Sequence, residues 1–117
     1  VQRLFASWMK WSRIAEHARY GSNYDYHRAL FMLNREPFLE NNWVVLREHE
    51  TLKPPLSVVH TTWHDSTAAA ESWLDAQSDQ LQTVVGRGRT PFGQSQFPAL
   101  WDYADGVDTP AFLVGLG

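Results

Sequence analysis

The sequence predicts an α/β fold in which two helices lead into a parallel βαβ unit. Three observations carry this. Apolar residues recur at helical spacing through the first third of the chain. The pair Pro54-Pro55 then closes the helical region and opens the β-branched run Leu56 to Thr62. Beyond that run, a capped helical stretch is followed by the short apolar segment Leu81 to Val85, the order strand, helix, strand with short links that implies parallel pairing.

Residues 2 to 20 place Leu4, Trp8, Trp11, Ala15 and Ala18 on one helical face, widened by Phe5, Met9 and Ile14, with Gly21 as terminator. Such a helix is expected to bury a broad face. Ser22, Asn23 and Asp25 offer N-caps for a second helix through Tyr26, Leu30, Phe31 and Leu33, ending before Pro37. Asn41-Asn42 signals a turn before a strand at Trp43 to Leu46. Leu56 to Thr62 is the next strand, nearly continuous in apolar residues, as in sheets covered on both faces. Asp65 or Ser66 caps a helix from Thr67 to about Gln77, with Ala70, Trp73 and Leu74 inward, and Leu81 to Val85 is the third strand of the series. Gly86 to Pro98 is a loop long enough to suggest function.

Composition narrows the function. The chain has 117 residues, enough for one domain with a core, and 44% of them are hydrophobic, including six Trp. A formal charge of -3, with no basic stripe, argues against sequence-independent nucleic-acid binding. The sequence contains no Cys, which excludes a disulfide framework, a thiolate zinc site and a thiol nucleophile within it. No apolar run is long enough to span a membrane and no signal-peptide pattern opens the chain, so a cytoplasmic setting is expected. The start at Val1, inside an amphipathic pattern, suggests a single partial domain, 1-117, cut from something longer.

Few constellations survive comparison with plainer explanations. His60 and His64 have the spacing of a helical zinc pair, but four residues of strand span roughly 13 Å, too far for one ion. Asp102, Asp105 and Asp108 lack the alternate ligands of a calcium loop and are expected to make turn and cap hydrogen bonds. Gly86-Arg87-Gly88-Arg89 lacks the third glycine of a dinucleotide fingerprint, and a turn explains it. Gly93 to Phe97 departs from a nucleophile elbow at its last residue. Glu50 stands out, because the following prolines hold it on stiff backbone ahead of a buried strand, although a solvated turn carboxylate has the same surroundings.

Longer stretches carry a resemblance. Glu50 to Val59 is similar to the E-x-F-G-P segment of the aldehyde dehydrogenase superfamily, with Leu52 in place of Phe and Lys53 in place of Gly. The run from Arg28 to Asn42, the segment Pro55 to His60 and the run from Thr90 to Thr109 resemble the C-terminal part of bacterial acyl-CoA reductases. These are the fatty-acid reductases related to those that supply aldehyde for bioluminescence. Residues from about 20 onward are covered, and Pro91-Phe-Gly-Gln94 and Asp102-Tyr-Ala-Asp-Gly-Val-Asp-Thr109 are the most specific blocks.

The resemblance implies a three-layer αβα, aldehyde-dehydrogenase-like fold and reduction of a fatty acyl-CoA thioester by NADPH to an aldehyde. In that chemistry a Cys takes the acyl group as an enzyme thioester; with no Cys here, either the nucleophile lies outside this chain, the reading favoured, or the chain is an inactive remnant, and by itself it is expected to be inactive. No catalytic residue is assigned within it. Glu50 becomes the candidate for hydrogen-bonding the nicotinamide ribose, Leu52 packs near the nicotinamide, and Phe92, Gly93, Gln94 and Gln96 lie near the acyl channel. Implied partners are the acyl-CoA substrate and either further copies of the enzyme or an acyl-transfer subunit. The alternative reading is a small interaction or assembly domain docking through the Trp-rich first helix.

Overall fold

The structure, a computed structural model, describes residues 1–99, 102–103 and 108–116. The chain divides into two compact units, Val1–Trp63 and His64–Gly117. Among the described residues it is a mixed α/β protein, with four α-helices and one three-stranded mixed sheet.

The first unit opens with α1 (Gln2–Trp8), which tightens into a 3-10 helix (Met9–Glu16). The expected helix over 2 to 20 therefore ends early. His17 turns extended (φ -73, ψ 115) and α2 (Ala18–Leu33) starts immediately after it. Gly21 lies inside α2 rather than ending its predecessor. Its role is close approach: a Cβ there would sit 2.7 Å from the Ala15 carbonyl oxygen, where the 3-10 helix packs on the first turns of α2. Ser22, Asn23 and Asp25 likewise fall within α2 and cap nothing, and the Asn23 amide bonds back to the Arg19 carbonyl at 2.8 Å. No residue of α1 or the 3-10 helix is buried, and Trp11 remains 62% exposed, so the broad apolar face expected to be buried is covered only in part, at Phe5, Trp8 and Ala15.

Helix α2 does not need Pro37 to stop it. Arg35 takes a left-handed conformation (φ 57), its N–H reaches Met32 O at 3.1 Å, and Glu36 N–H reaches Phe31 O at 2.9 Å. These are the two bonds of a Schellman ending.

The sheet follows. Strand β1 (Leu39–Glu40) pairs antiparallel with β2 (Val45–Glu48) around a turn at Asn41–Val44, in which Asn41 Oδ1 accepts from Val44 N–H. Strand β3 (Val58–Thr61) pairs parallel with β2, in the register Val45 to Val58 through Glu48 to Thr61. The strand expected at Trp43 to Leu46 thus lies two residues later, and Trp43 and Val44 are buried in the approach to it.

Side chains alternate along the strands, so Val45, Val58, Arg47 and His60 share the face that α2 covers. Tyr24 and Phe31 of α2 pack there with Val45 and Val58, supported by Phe38, and Val45 is fully buried. Arg47 lies over the Phe31 ring at 4.5 Å and pairs with Glu36 at 2.5 Å. Strand β1 is tied to the helix by Glu40, whose Oε2 accepts from the Tyr24 hydroxyl at 2.5 Å and from Arg28 Nε at 2.7 Å.

In the second unit Ser66 caps α3 (Thr67–Ala76), accepting from Ala69 N–H at 3.1 Å, and a 3-10 turn (Ser78–Gln80) follows. Leu81 to Val85 forms no strand. Its one ladder contact is the bridge between Val85 and Thr90, so the parallel βαβ unit expected around α3 is not formed. The parallel pair is instead β2 with β3, joined by a loop without a helix. Arg89 fixes the Gly86–Arg89 turn to α3, with Nε 3.0 Å from Glu71 and Nη2 2.9 Å from Asp75. Asp102 accepts from Ala99 N–H, and Asp108 caps α4 (Thr109–Gly115) by accepting from Ala111 N–H; Asp105 lies outside the described residues.

Candidate functional site at the carboxyl edge of the parallel strands

Open α/β sheets bind ligands beyond the carboxyl ends of their parallel strands. In this protein β2 and β3 end together at Glu48 and Thr61, and His49 N–H extends the ladder to Thr61 O at 3.0 Å. The loop 49–57 leaves that edge and returns to the start of β3, with Pro54-Pro55 along its way and Ser57 in left-handed backbone (φ 71) at its end.

Glu50 and Leu52 stand on this loop. Glu50 is exposed, Leu52 is half-buried, and among the described residues no hydrogen bond or ion pair engages the Glu50 carboxylate. On either side of Glu50 the loop is anchored by a cluster that sequence reading missed. Thr51 N–H lies 3.2 Å from His49 Nδ1, and Thr51 O lies 2.8 Å from His60 Nδ1. The Thr51 hydroxyl is 3.1 Å from His49 Nδ1 and 3.2 Å from His60 Nδ1. The two imidazole centroids are 4.7 Å apart with ring planes 30° from parallel.

His60 was weighable in sequence only against His64, four residues on. The structure pairs it with His49 across the strands, while the His64 ring packs against Trp73 at 5.5 Å. The signal was the parallel register, which sets Arg47 opposite His60 and so brings residue 49 alongside. Among the described residues no group of three or more His, Cys, Asp or Glu could hold a metal ion.

Phe92, Gly93, Gln94 and Gln96 share a segment of the second unit. Gln94 N–H closes a turn on Pro91 O at 3.1 Å with Gly93 in left-handed backbone (φ 81), and Phe97 N–H closes the next turn on Gln94 O at 3.0 Å. All four are exposed, Phe92 to 85%. Of the Asp102 to Thr109 block, residues 104–107 lie outside the described residues.

No known family, curated protein or solved structure matches the chain. No helix among the described residues is long and apolar enough to cross a membrane.

Proposed function

We propose that this chain is the C-terminal part of an NADPH-dependent oxidoreductase that reduces fatty acyl-CoA to aldehyde through an enzyme thioester. The observation that carries the reading is Glu50: an exposed, unengaged carboxylate on the loop that leaves the carboxyl edge of the parallel pair β2–β3. The resemblance of the Pro91-Phe-Gly-Gln94 and Asp102 to Thr109 blocks to acyl-CoA reductases supplies the substrate class.

The residues present suit the cofactor. A free carboxylate accepts hydrogen bonds from ribose hydroxyls, and the half-buried Leu52 offers the nicotinamide an apolar neighbour. NADPH, when bound, supplies the hydride. This chain's share is to orient the ribose through Glu50 and, through Phe92, Gly93, Gln94 and Gln96, to line the way for the acyl chain. The Cys that takes the acyl group is not among these residues. The same reading places the chain in a three-layer αβα, aldehyde-dehydrogenase-like protein of the cytoplasm, working with copies of itself or an acyl-transfer subunit.

A second reading draws on Trp11 and Ile14, three residues apart on one face of the 3-10 helix and 62% and 43% exposed. That apolar edge suits assembly with another protein surface. The test that separates the two is aldehyde formation from acyl-CoA and NADPH by the full-length protein. Aldehyde matching the NADPH consumed is expected, and a folded protein that binds partners but yields none favours the assembly reading.

A further inference from the structure

The two imidazoles at the carboxyl edge hold opposite tautomers. Thr51 N–H only donates, so His49 Nδ1, 3.2 Å away, is an acceptor and that ring's proton sits on Nε2. Thr51 O only accepts, so His60 Nδ1, at 2.8 Å, carries a proton, and in the neutral ring its Nε2 holds a lone pair. The Thr51 hydroxyl completes the arrangement by accepting from His60 and donating to His49. In each ring Nε2 is directed away from the Nδ1 that Thr51 holds. The ring centroids are 4.7 Å apart with planes 30° from parallel, so with both rings neutral an Nε2–H donor and an Nε2 acceptor belong to adjacent imidazoles. Glu50 falls between His49 and Thr51 in the chain and adds an acceptor to the same loop.

We propose that His49 and His60 bind the vicinal hydroxyls of a ribose, the one that Glu50 engages; this rests on the reading of Glu50 given above. A diol suits this set of groups, because each hydroxyl both donates and accepts. One hydroxyl donates to His60 Nε2, the other donates to the Glu50 carboxylate, and His49 Nε2–H donates to a hydroxyl oxygen. A fully ionised phosphate would use the His49 donor but set its oxygens against the His60 lone pair. A metal ion would use that lone pair but face the His49 proton.

Nitrogen-15 NMR of the histidine-labelled chain at neutral pH reads the tautomers directly. The proton is expected on Nε2 of His49 and Nδ1 of His60, and the same tautomer at both overturns the inference. NADPH binding to the full-length protein supplies the second arm. His60→Phe is expected to weaken binding about fivefold to tenfold, the loss of one hydrogen bond. His60→Gln, which restores an acceptor oxygen, should recover part of it. The His60→Phe penalty should vanish with a cofactor analogue lacking the nicotinamide ribose hydroxyls. Wild-type affinity in His60→Phe alongside weakened binding in Glu50→Gln overturns the histidine assignment and leaves the Glu50 reading standing. Wild-type affinity in both variants overturns both.

Discussion

Replacing Glu36 by Gln removes one charge from a pair that is mostly withdrawn from water, and the structure sets the size of the effect. The Arg47 and Glu36 side chains keep 18% and 29% of their exposure, their charged atoms meet at 2.5 Å, and the guanidinium lies on the Phe31 ring at 4.5 Å. Arg47 Nε is buried and has no hydrogen-bond partner among the described residues, so Glu36 carries most of the compensation for that charge. Breaking a fully buried pair costs about 3–5 kcal/mol and an exposed one about 0–1 kcal/mol. A pair roughly three-quarters buried falls between, near 2–3 kcal/mol, and the Gln carbonyl returns about 1 kcal/mol as a neutral hydrogen bond. The net expectation for Glu36→Gln is a loss of about 1–2 kcal/mol.

Urea unfolding followed by circular dichroism measures this, with a midpoint lower by about 0.5–1 M. Combining Glu36→Gln with Arg47→Met should recover much of the loss, since Met still covers Phe31 and leaves no unpaired charge. A change below about 0.5 kcal/mol, with no coupling in the double-mutant cycle, would show that the Arg47 charge is solvated and that the packing over Phe31 is wrong.

Two further outcomes follow from the first unit. Gly21→Ala should destabilise by about 1–3 kcal/mol, because the added Cβ meets the Ala15 carbonyl at 2.7 Å and overrides alanine's better helix propensity; a raised melting temperature would refute the close approach. Around β1, the hydrogen bond from Arg28, then that from Tyr24, holds the Glu40 carboxyl below the usual range against the opposing effect of burial, while burial and then Glu40 push the Tyr24 phenol up. A depressed Glu adds stability above its unfolded value of about 4.3 that is lost as pH falls through the folded one, and a raised Tyr adds stability that is lost as pH rises from about 10 toward its folded value. Glu40→Gln should therefore flatten the acid limb of a melting-temperature profile, and an unchanged acid limb would contradict the assignment.

What the sequence revealed was local. The prolines and β-branched residues placed β3 to within two residues, and Ser66 identified the start of α3, because a strand opening and an N-cap are written in adjacent residues. Pairing was not local. The apolar run Leu81 to Val85 looked like the natural partner of β3 across α3, yet β2 took that place through a loop without a helix. The break at His17 was equally hidden, since Gly21, the residue that suggested a helix end, serves a contact with Ala15 instead. Glu50 could be singled out in the sequence because Pro54-Pro55 follow it and precede β3, and the structure places it exposed on the loop between β2 and β3. His49 and His60, eleven positions apart in the chain, acquire a shared environment only once the parallel register is known.

The claim that the carboxyl edge of β2–β3 is a cofactor site stands or falls with Glu50. The most direct measurement is the rate of aldehyde formation from acyl-CoA with NADPH in the full-length protein, compared with its Glu50→Gln variant. Weaker NADPH use and slower hydride transfer in the variant are the predicted result. Identical NADPH kinetics in the two proteins would remove Glu50, and with it the proposed ribose site, from the account.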